Sequence, residues 1–215
     1  VSVVNEELSL RERKKLRTRT ALVDAALALF FDKGFEATTV EEIAAAVEIS
    51  PRTFFRYFAG KEDVALAQFA EVDELCVTAL SARPADEPPV LAVRNAYLVM
   101  FEQITAMEGS SQRFRATYQL VVDNPTLSAR WGAMSATAEV RAAEQVALRQ
   151  GVDAETDLRC RLLVRLVCAS ARLGMELACR RGYRDVGELR EVVTEAIDLG
   201  TAGLAEAWST ATRRW

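Results

Sequence analysis

Between positions 38 and 64 the chain reads TTVEEIAAAVEISPRTFFRYFAGKEDV. The side chains in it that can do chemistry are Ser50, Arg52, Arg56, Tyr57 and Lys61, set among phenylalanines. An arginine fork spans two neighbouring acceptors, such as guanine O6 and N7. Serine and tyrosine hydroxyls reach phosphate oxygens. Lys61 stands where a helix begins, and free amides there also attract an anion. These residue types point to double-stranded DNA rather than to bond-breaking. The chain has no histidine, so it can build no Ser-His-Asp or Cys-His pair and no helical Glu-x-x-His metal motif. It also shows no Gly-rich phosphate loop. The carboxylates scatter over helix surfaces as solvated charge. No catalysis, cofactor or metal is expected.

Elements must hold these groups in place. Thr39 with Glu42 three residues on is a capping box, so a helix should start at Val40 and run to about Val47. Ser50-Pro51 opens the next, to about Phe58, because serine caps well and proline suits the first helical position. Two short helices joined by a three- or four-residue turn have the spacing of a helix-turn-helix. Phe54 and Phe58, at i and i+4, share the buried side and leave Arg52, Phe55 and Arg56 facing away. Before them a helix from Leu10 to Lys33 is expected, with Leu22, Ala25, Ala26, Leu29 and Phe30 on its apolar face and Gly34 as its stop.

The net charge of −4 argues against a nucleic-acid partner only in bulk. Residues 1–60 carry nine Lys/Arg and nine Asp/Glu, and the remaining 18 and 22 account for the whole −4. Arg11 to Arg19 holds six bases against Glu12 alone. Screening cuts off distant acidic charge within roughly 8–10 Å, so this local arm still meets phosphate.

On these residues the chain resembles the TetR family of regulators, whose helix-turn-helix has the look of TTVEEIA…VSPxTFYRYFxxKEDL. The resemblance covers about residues 17–66 and rests on fold pattern beyond them. It implies that Arg52 and Phe55 face bases, while Thr39, Ser50, Arg56, Tyr57 and Lys61 touch the DNA backbone. With Arg17 and Arg19 from the basic arm, and Pro51 and Thr53 from the helix start, these form the candidate DNA-binding set. Two departures stand out. Phe55 replaces the tyrosine of many members, trading a phenolic contact for an apolar one. Glu48 replaces a common turn glycine and is expected in a left-handed conformation or a reshaped turn.

The rest reads as a helical bundle. A longer helix should run from about Lys61 to Ala82, followed by a loop holding Pro84, Pro88 and Pro89. Further helices are expected at roughly 89–107, 110–122, 126–149, 154–181 and 186–209. The fold class is all-α: an N-terminal three-helix head at 10–60, and a ligand-binding and dimerisation bundle at 61–215. Large, soft side chains gather between 97 and 134, as in a ligand cavity. Tyr97, Phe101, Ile104, Met107, Phe114, Tyr118, Trp131 and Met134 are its candidate walls. With no acidic cluster visible among them, an apolar, neutral or anionic effector is favoured. The last two helices are rich in small residues. By the family pattern they form a four-helix bundle across a two-fold axis. Its candidate interface residues are Leu166, Ala169, Leu173, Gly174, Leu177, Val193, Ile197, Gly203 and Leu204. A homodimer doubles the base pairs read and sets the recognition helices about 34–36 Å apart.

Cys76, Cys160, Cys168 and Cys179 show no CxxC spacing and read as small buried residues of a reducing cytosol. No apolar run approaches the roughly 18–20 residues of a membrane span, so a cytoplasmic location without membrane contact is expected. The reading is a one-component repressor that binds palindromic operator DNA and is released by an unknown small molecule, with the 61–82 helix as the lever between head and body. The alternative is a ligand-independent architectural DNA-binding protein.

Overall fold

The computed structural model describes residues 9–99, 101–102 and 110–203, and every regular element among them is a helix. The chain falls into two compact units. One takes the chain up to Gln68 together with Val121–Arg130; the other takes Phe69–Leu120 and the chain from Trp131 onward.

In the first unit, α1 (Leu10–Lys33) starts from a capping box. Ser9 N–H donates to Glu12 Oε2 at 2.9 Å, and Glu12 N–H donates to Ser9 Oγ at 3.3 Å. It buries Leu22, Ala26, Leu27 and Phe30 and ends at Gly34, whose φ of 91° suits a residue without Cβ. Then come α2 (Val40–Ala46), α3 (Pro51–Phe54) and α4 (Lys61–Ala65). Helix α1 packs on α2 and α4, and α2 packs on α3. Leu22, Ile43, Ala44 and Phe54 are fully buried in the resulting core. Phe54 alone is worth roughly 2–3 kcal/mol of burial.

Two expectations change here. The helix expected over 51–58 is α-helical only to Phe54. Beyond it the bonds tighten to three-residue steps, Arg56 N–H to Thr53 O at 3.2 Å and Tyr57 N–H to Phe54 O at 2.8 Å. Such tightening lets the last turn satisfy its own carbonyls. Phe58 N–H still reaches Phe54 O at 3.1 Å, so the two rings stay on one side as the spacing required. The single helix expected from Lys61 to Ala82 is broken. Leu66, at φ −93° and ψ 0°, separates α4 from α5 (Ala67–Ser81). The supposed lever is therefore not continuous.

The second unit holds most of α5, then α6 (Pro89–Leu98), and the greater part of α7 (Ser110–Asp123) and α8 (Pro125–Gln150), followed by α9 (Leu158–Arg181) and α10 (Val186–Thr201). Asp157 and Asp185 cap α9 and α10 through Arg159 N–H and Glu188 N–H, at 3.0 and 2.9 Å. Helix α6 lies against both of them. Arg94 on α6 grips Asp198 on α10 with two bonds, at 2.5 and 2.9 Å. Arg149 at the end of α8 donates to the carbonyls of Arg83 and Pro84, at 2.7 and 2.6 Å, which pins the proline loop. Among the described residues no helix is long and apolar enough to cross a membrane.

The α7–α8 turn belongs to the first unit. There Asn124 Nδ2 donates to Glu36 Oε1 at 3.1 Å and Arg130 pairs with Asp63. Both α7 and α8 thus have one end in each unit.

Candidate nucleic-acid interface and effector cavity

Helix α2 starts as its sequence dictates. Thr39 N–H donates to Glu42 Oε2 at 2.9 Å, and Glu42 N–H donates to Thr39 Oγ1 at 3.3 Å. Lys33 pairs with the same carboxylate. The lysine first, and then the Thr39 bonds, hold the Glu42 carboxyl down at about 2. The Thr39 hydroxyl is therefore engaged in this cap.

Helix α2 ends in a Schellman turn, with Ile49 N–H bonded to Ala44 O and Glu48 N–H to Ala45 O, both at 3.0 Å. Glu48 takes the left-handed position at φ 56°, the alternative the sequence raised. Ser50 then caps α3, accepting from Thr53 N–H at 3.1 Å, with Pro51 in the first turn.

This scaffold turns one side of α3 outward. Phe54 and Phe58 are buried with ring centroids 5.9 Å apart. Arg52 and Arg56 are exposed, and so is Phe55 at 56%. Among the described residues Arg52 makes no hydrogen bond or ion pair, so its fork is free to pair. Arg56 lies over the half-buried Tyr57 ring at 5.8 Å. Thr53 shares a 3.0 Å hydroxyl contact with Ser50. On α1, Arg17 is exposed, whereas Arg19 stacks over Phe58 at 5.1 Å and is half-buried.

Lys61 requires a correction. Its ammonium donates to the carbonyls of Phe35, Glu36 and Thr38 at 2.8, 3.2 and 3.0 Å. It also sits 4.5 Å from the Phe35 ring centroid. All three N–H donors are committed inside the unit, so Lys61 staples the α1–α2 connection instead of reaching for phosphate.

The second unit holds a partly open cavity of about 60 Å³. Tyr97, Phe114 and Trp131 line it, as do Phe69, Asp73 and Cys76 of α5, Ser135 and Glu139 of α8, and Cys168, Arg172 and Met175 of α9. Phe101 and Tyr118 are buried, and Met134 half-buried, outside its lining. Tyr118 instead meets Trp131 edge-on at 5.9 Å. Ile104 and Met107 lie outside the described residues. The expectation of walls without acid is overturned, because Asp73 and Glu139 both face this space. The polar lining comes from α5, α8 and α9, at positions outside the apolar run at 97–134. Polar residues recurring on their apolar faces were the available signal.

Glu139 accepts from Arg172 at 3.2 Å. Asp73 accepts from Ser135 Oγ at 3.3 Å, and burial raises its carboxyl to about 6. Burial likewise pushes Cys76 up, and Cys168 to about 12, so both cavity thiols stay protonated. That makes them poor nucleophiles.

The proposed dimer surface also needs correction. Val193 and Ile197 are fully buried within one chain. A Cβ on Gly174 would stand 2.9 Å from Val193 Cα and 3.0 Å from Ala196 Cβ, so this glycine lets α10 approach α9. These three are spent on intrachain packing. What α9 leaves outward is Leu162, Ala169, Leu173 at 63% and Leu177, with Leu166 half-exposed beside them. Gly203 is exposed, and Leu204 lies outside the described residues.

Comparison with known proteins matches this architecture. The family model for bacterial regulatory proteins of the tetR family covers residues 22–67, and the MftR C-terminal domain model covers 87–205. The HTH-type transcriptional regulator TcmR of Streptomyces glaucescens is 39% identical over 192 residues, which is 88% of this chain and 85% of that protein. Among solved structures, SmeT, the repressor of the Stenotrophomonas maltophilia efflux pump SmeDEF, aligns with a TM-score of 0.57 at 20% identity, over 86% of this chain and 89% of that one. The fatty acid degradation regulator FadR of Bacillus halodurans aligns with a TM-score of 0.57 at 19% identity, over 87% and 96%. With both of its parts matched and a near-full-length relative at this identity, the chain belongs to the TetR family of DNA-binding helix-turn-helix transcriptional regulators and is not an enzyme.

Proposed function

We propose that this regulator is a cytoplasmic repressor that binds palindromic operator DNA as a homodimer and lets go when a small molecule enters the second unit. The observation that carries the reading is the outer side of α3, where a partner-free Arg52 and an exposed Phe55 project from a turn capped at every step. Such a surface is wasteful in water and matches the acceptor and methyl pattern of a major groove. DNA binding falls to the first unit, which runs on through α4 to Gln68, and ligand binding with dimerisation to the second. Arg52 and Phe55 read bases, while Arg17, Arg56, Tyr57 and the α3 start (Ser50, Pro51, Thr53) lie along phosphates. The outward stripe of α9 supplies the dimer contact. That this fold can take a small-molecule guest is supported by the fold neighbour SmeT, whose complex with triclosan aligns at a TM-score of 0.58.

The test is to footprint the chain on the DNA flanking its own gene and then screen metabolites for loss of the footprint. Arg52→Ala should cost about 1–3 kcal/mol on the best site and relax selectivity at one position per half-site. Undiminished affinity in that variant defeats the base-reading role. A second reading, a ligand-independent architectural protein, is favoured by the cavity's small volume, about 60 Å³. Ligand sites run to roughly 300–1,000 Å³, so a large guest requires the walls to move. A footprint that no metabolite disturbs selects this second reading.

A further inference from the structure

We propose that the cavity of the second unit selects a small aryl-alkyl amine, with its ring among the aromatic walls and its ammonium held by the Asp73 carboxylate. The proposal rests on reading that cavity as the effector site. Three charged side chains line the space: Asp73, Glu139 and Arg172. Arg172 is committed to Glu139 at 3.2 Å, and the mostly exposed Arg165 stands 3.9 Å from the same carboxylate. Arg141 approaches from α8; its two terminal nitrogens are taken by Glu74 at 3.1 and 2.6 Å, and its buried Nε has no partner among the described residues. Asp73 is left with one hydroxyl, Ser135, at 3.3 Å. Of the charged side chains lining the cavity, half-buried Asp73 alone has no ion-pair partner among the described residues, with Arg172 and Arg141 near enough only to draw its carboxyl down in part. Such a charge is costly unless it takes a proton or a cation.

The neutral groups point the same way. Tyr97 and Trp131 line the cavity, and among the described residues no hydrogen bond reaches the Tyr97 hydroxyl or the Trp131 indole N–H. Tyr97 is buried deeply enough to push its phenol well above the ordinary range, so the hydroxyl stays neutral and its oxygen can accept. The rings of Phe69 and Trp131, with centroids 5.0 Å apart, form an aromatic wall. An ammonium group finds there a carboxylate, a neutral oxygen acceptor and ring faces. A carboxylate guest would meet Asp73 as a like charge, with the one lining arginine already paired. Burial raises the Asp73 carboxyl to about 6 against the pull of Ser135, Arg172 and Arg141, and an arriving amine would lower it further.

The experiment is calorimetric titration of the full chain at pH 7.5 with 2-phenylethylamine and with 2-phenylethanol, which matches its size but carries no charge. The amine should bind at least about tenfold tighter, the worth of one charge-assisted hydrogen bond. In Asp73→Asn the gap should shrink to about twofold or less, and in Ser135→Ala, which keeps the charge, it should persist. At pH 5.5 an acid titrating at about 6 is mostly protonated, so amine affinity should fall about fourfold while alcohol affinity holds. Alcohol binding as tightly as amine, or a gap that survives Asp73→Asn, would overturn the amine selectivity while leaving the cavity as effector site. Failure of both compounds to bind at millimolar concentration also overturns the proposal. The effector reading itself is judged separately, by the release of operator in the metabolite screen.

Discussion

Replacing Lys61 by methionine removes an ammonium group and keeps the aliphatic stem, so it isolates what the charge does. In the folded unit that charge serves the carbonyls of Phe35, Glu36 and Thr38, two of them partly buried, and the face of the Phe35 ring. Two partly solvated charge-assisted bonds are worth about 1 kcal/mol each. The exposed third bond adds little, and the ring contact adds about 0.5–1 kcal/mol. Lys61→Met should therefore lose about 2–3 kcal/mol, lowering Tm by roughly 5–10 °C for a chain of this size. The discriminating assay is operator affinity against salt, measured well below the melting range. A lysine that neutralises one phosphate contributes about 0.9 to the log–log salt slope. A lysine spent on three carbonyls contributes nothing to it. Lys61→Met should thus be clearly less stable yet bind operator with an unchanged slope. Unchanged stability together with a slope reduced by about 1.8, one phosphate for each Lys61 of the dimer, would refute the staple and restore the phosphate contact.

Glu48→Gly should stabilise the protein by about 0.5–1 kcal/mol in chemical denaturation, because φ 56° costs a side chain more than glycine loses in unfolded-state entropy. Leu173→Glu should shift the chain toward monomer in sedimentation with little change in its helical circular dichroism, since Leu173 is 63% exposed in the single chain. Gly174→Val, one residue along, should instead lower Tm by forcing α10 from α9, where even a Cβ meets Val193 Cα at 2.9 Å. Asp73 gives a pH signature. Its folded value of about 6 lies above the ordinary 3.8, so the folded state holds the extra proton, and stability falls as pH rises through that window. Asp73→Asn should be the more stable form at pH 7.5, by up to about 3 kcal/mol, and should lose that advantage below about pH 4. A wild-type stability that rises from pH 4 to 6 more steeply than the variant's would contradict the burial argument.

Local chemistry was legible along the chain. The Thr39–Glu42 box, the Ser50-Pro51 start, the Gly34 stop and the Phe54–Phe58 pair each act within four residues or fewer, and each stands in the structure where its spacing puts it. Glu48 was legible in part: the sequence left a left-handed residue and a reshaped turn both open, and the structure takes the first. Lys61 was not, because its acceptors lie 23 to 26 residues upstream and come together only when α1, α2 and α4 pack. The phase of α9 was not legible either. Apolar residues occupy both sides of that helix, so periodicity could not tell Leu173, which faces out, from Gly174, which admits α10. The cavity walls were chosen by the same kind of event. Asp73, Ser135, Glu139 and Arg172 come from three helices far apart in sequence, and each alone reads as ordinary surface charge or hydroxyl. Capping and helix propensity are properties of neighbours in the chain. Which polar groups share a desolvated space, and which of them then lacks a counter-charge, is a property of neighbours in the packed fold.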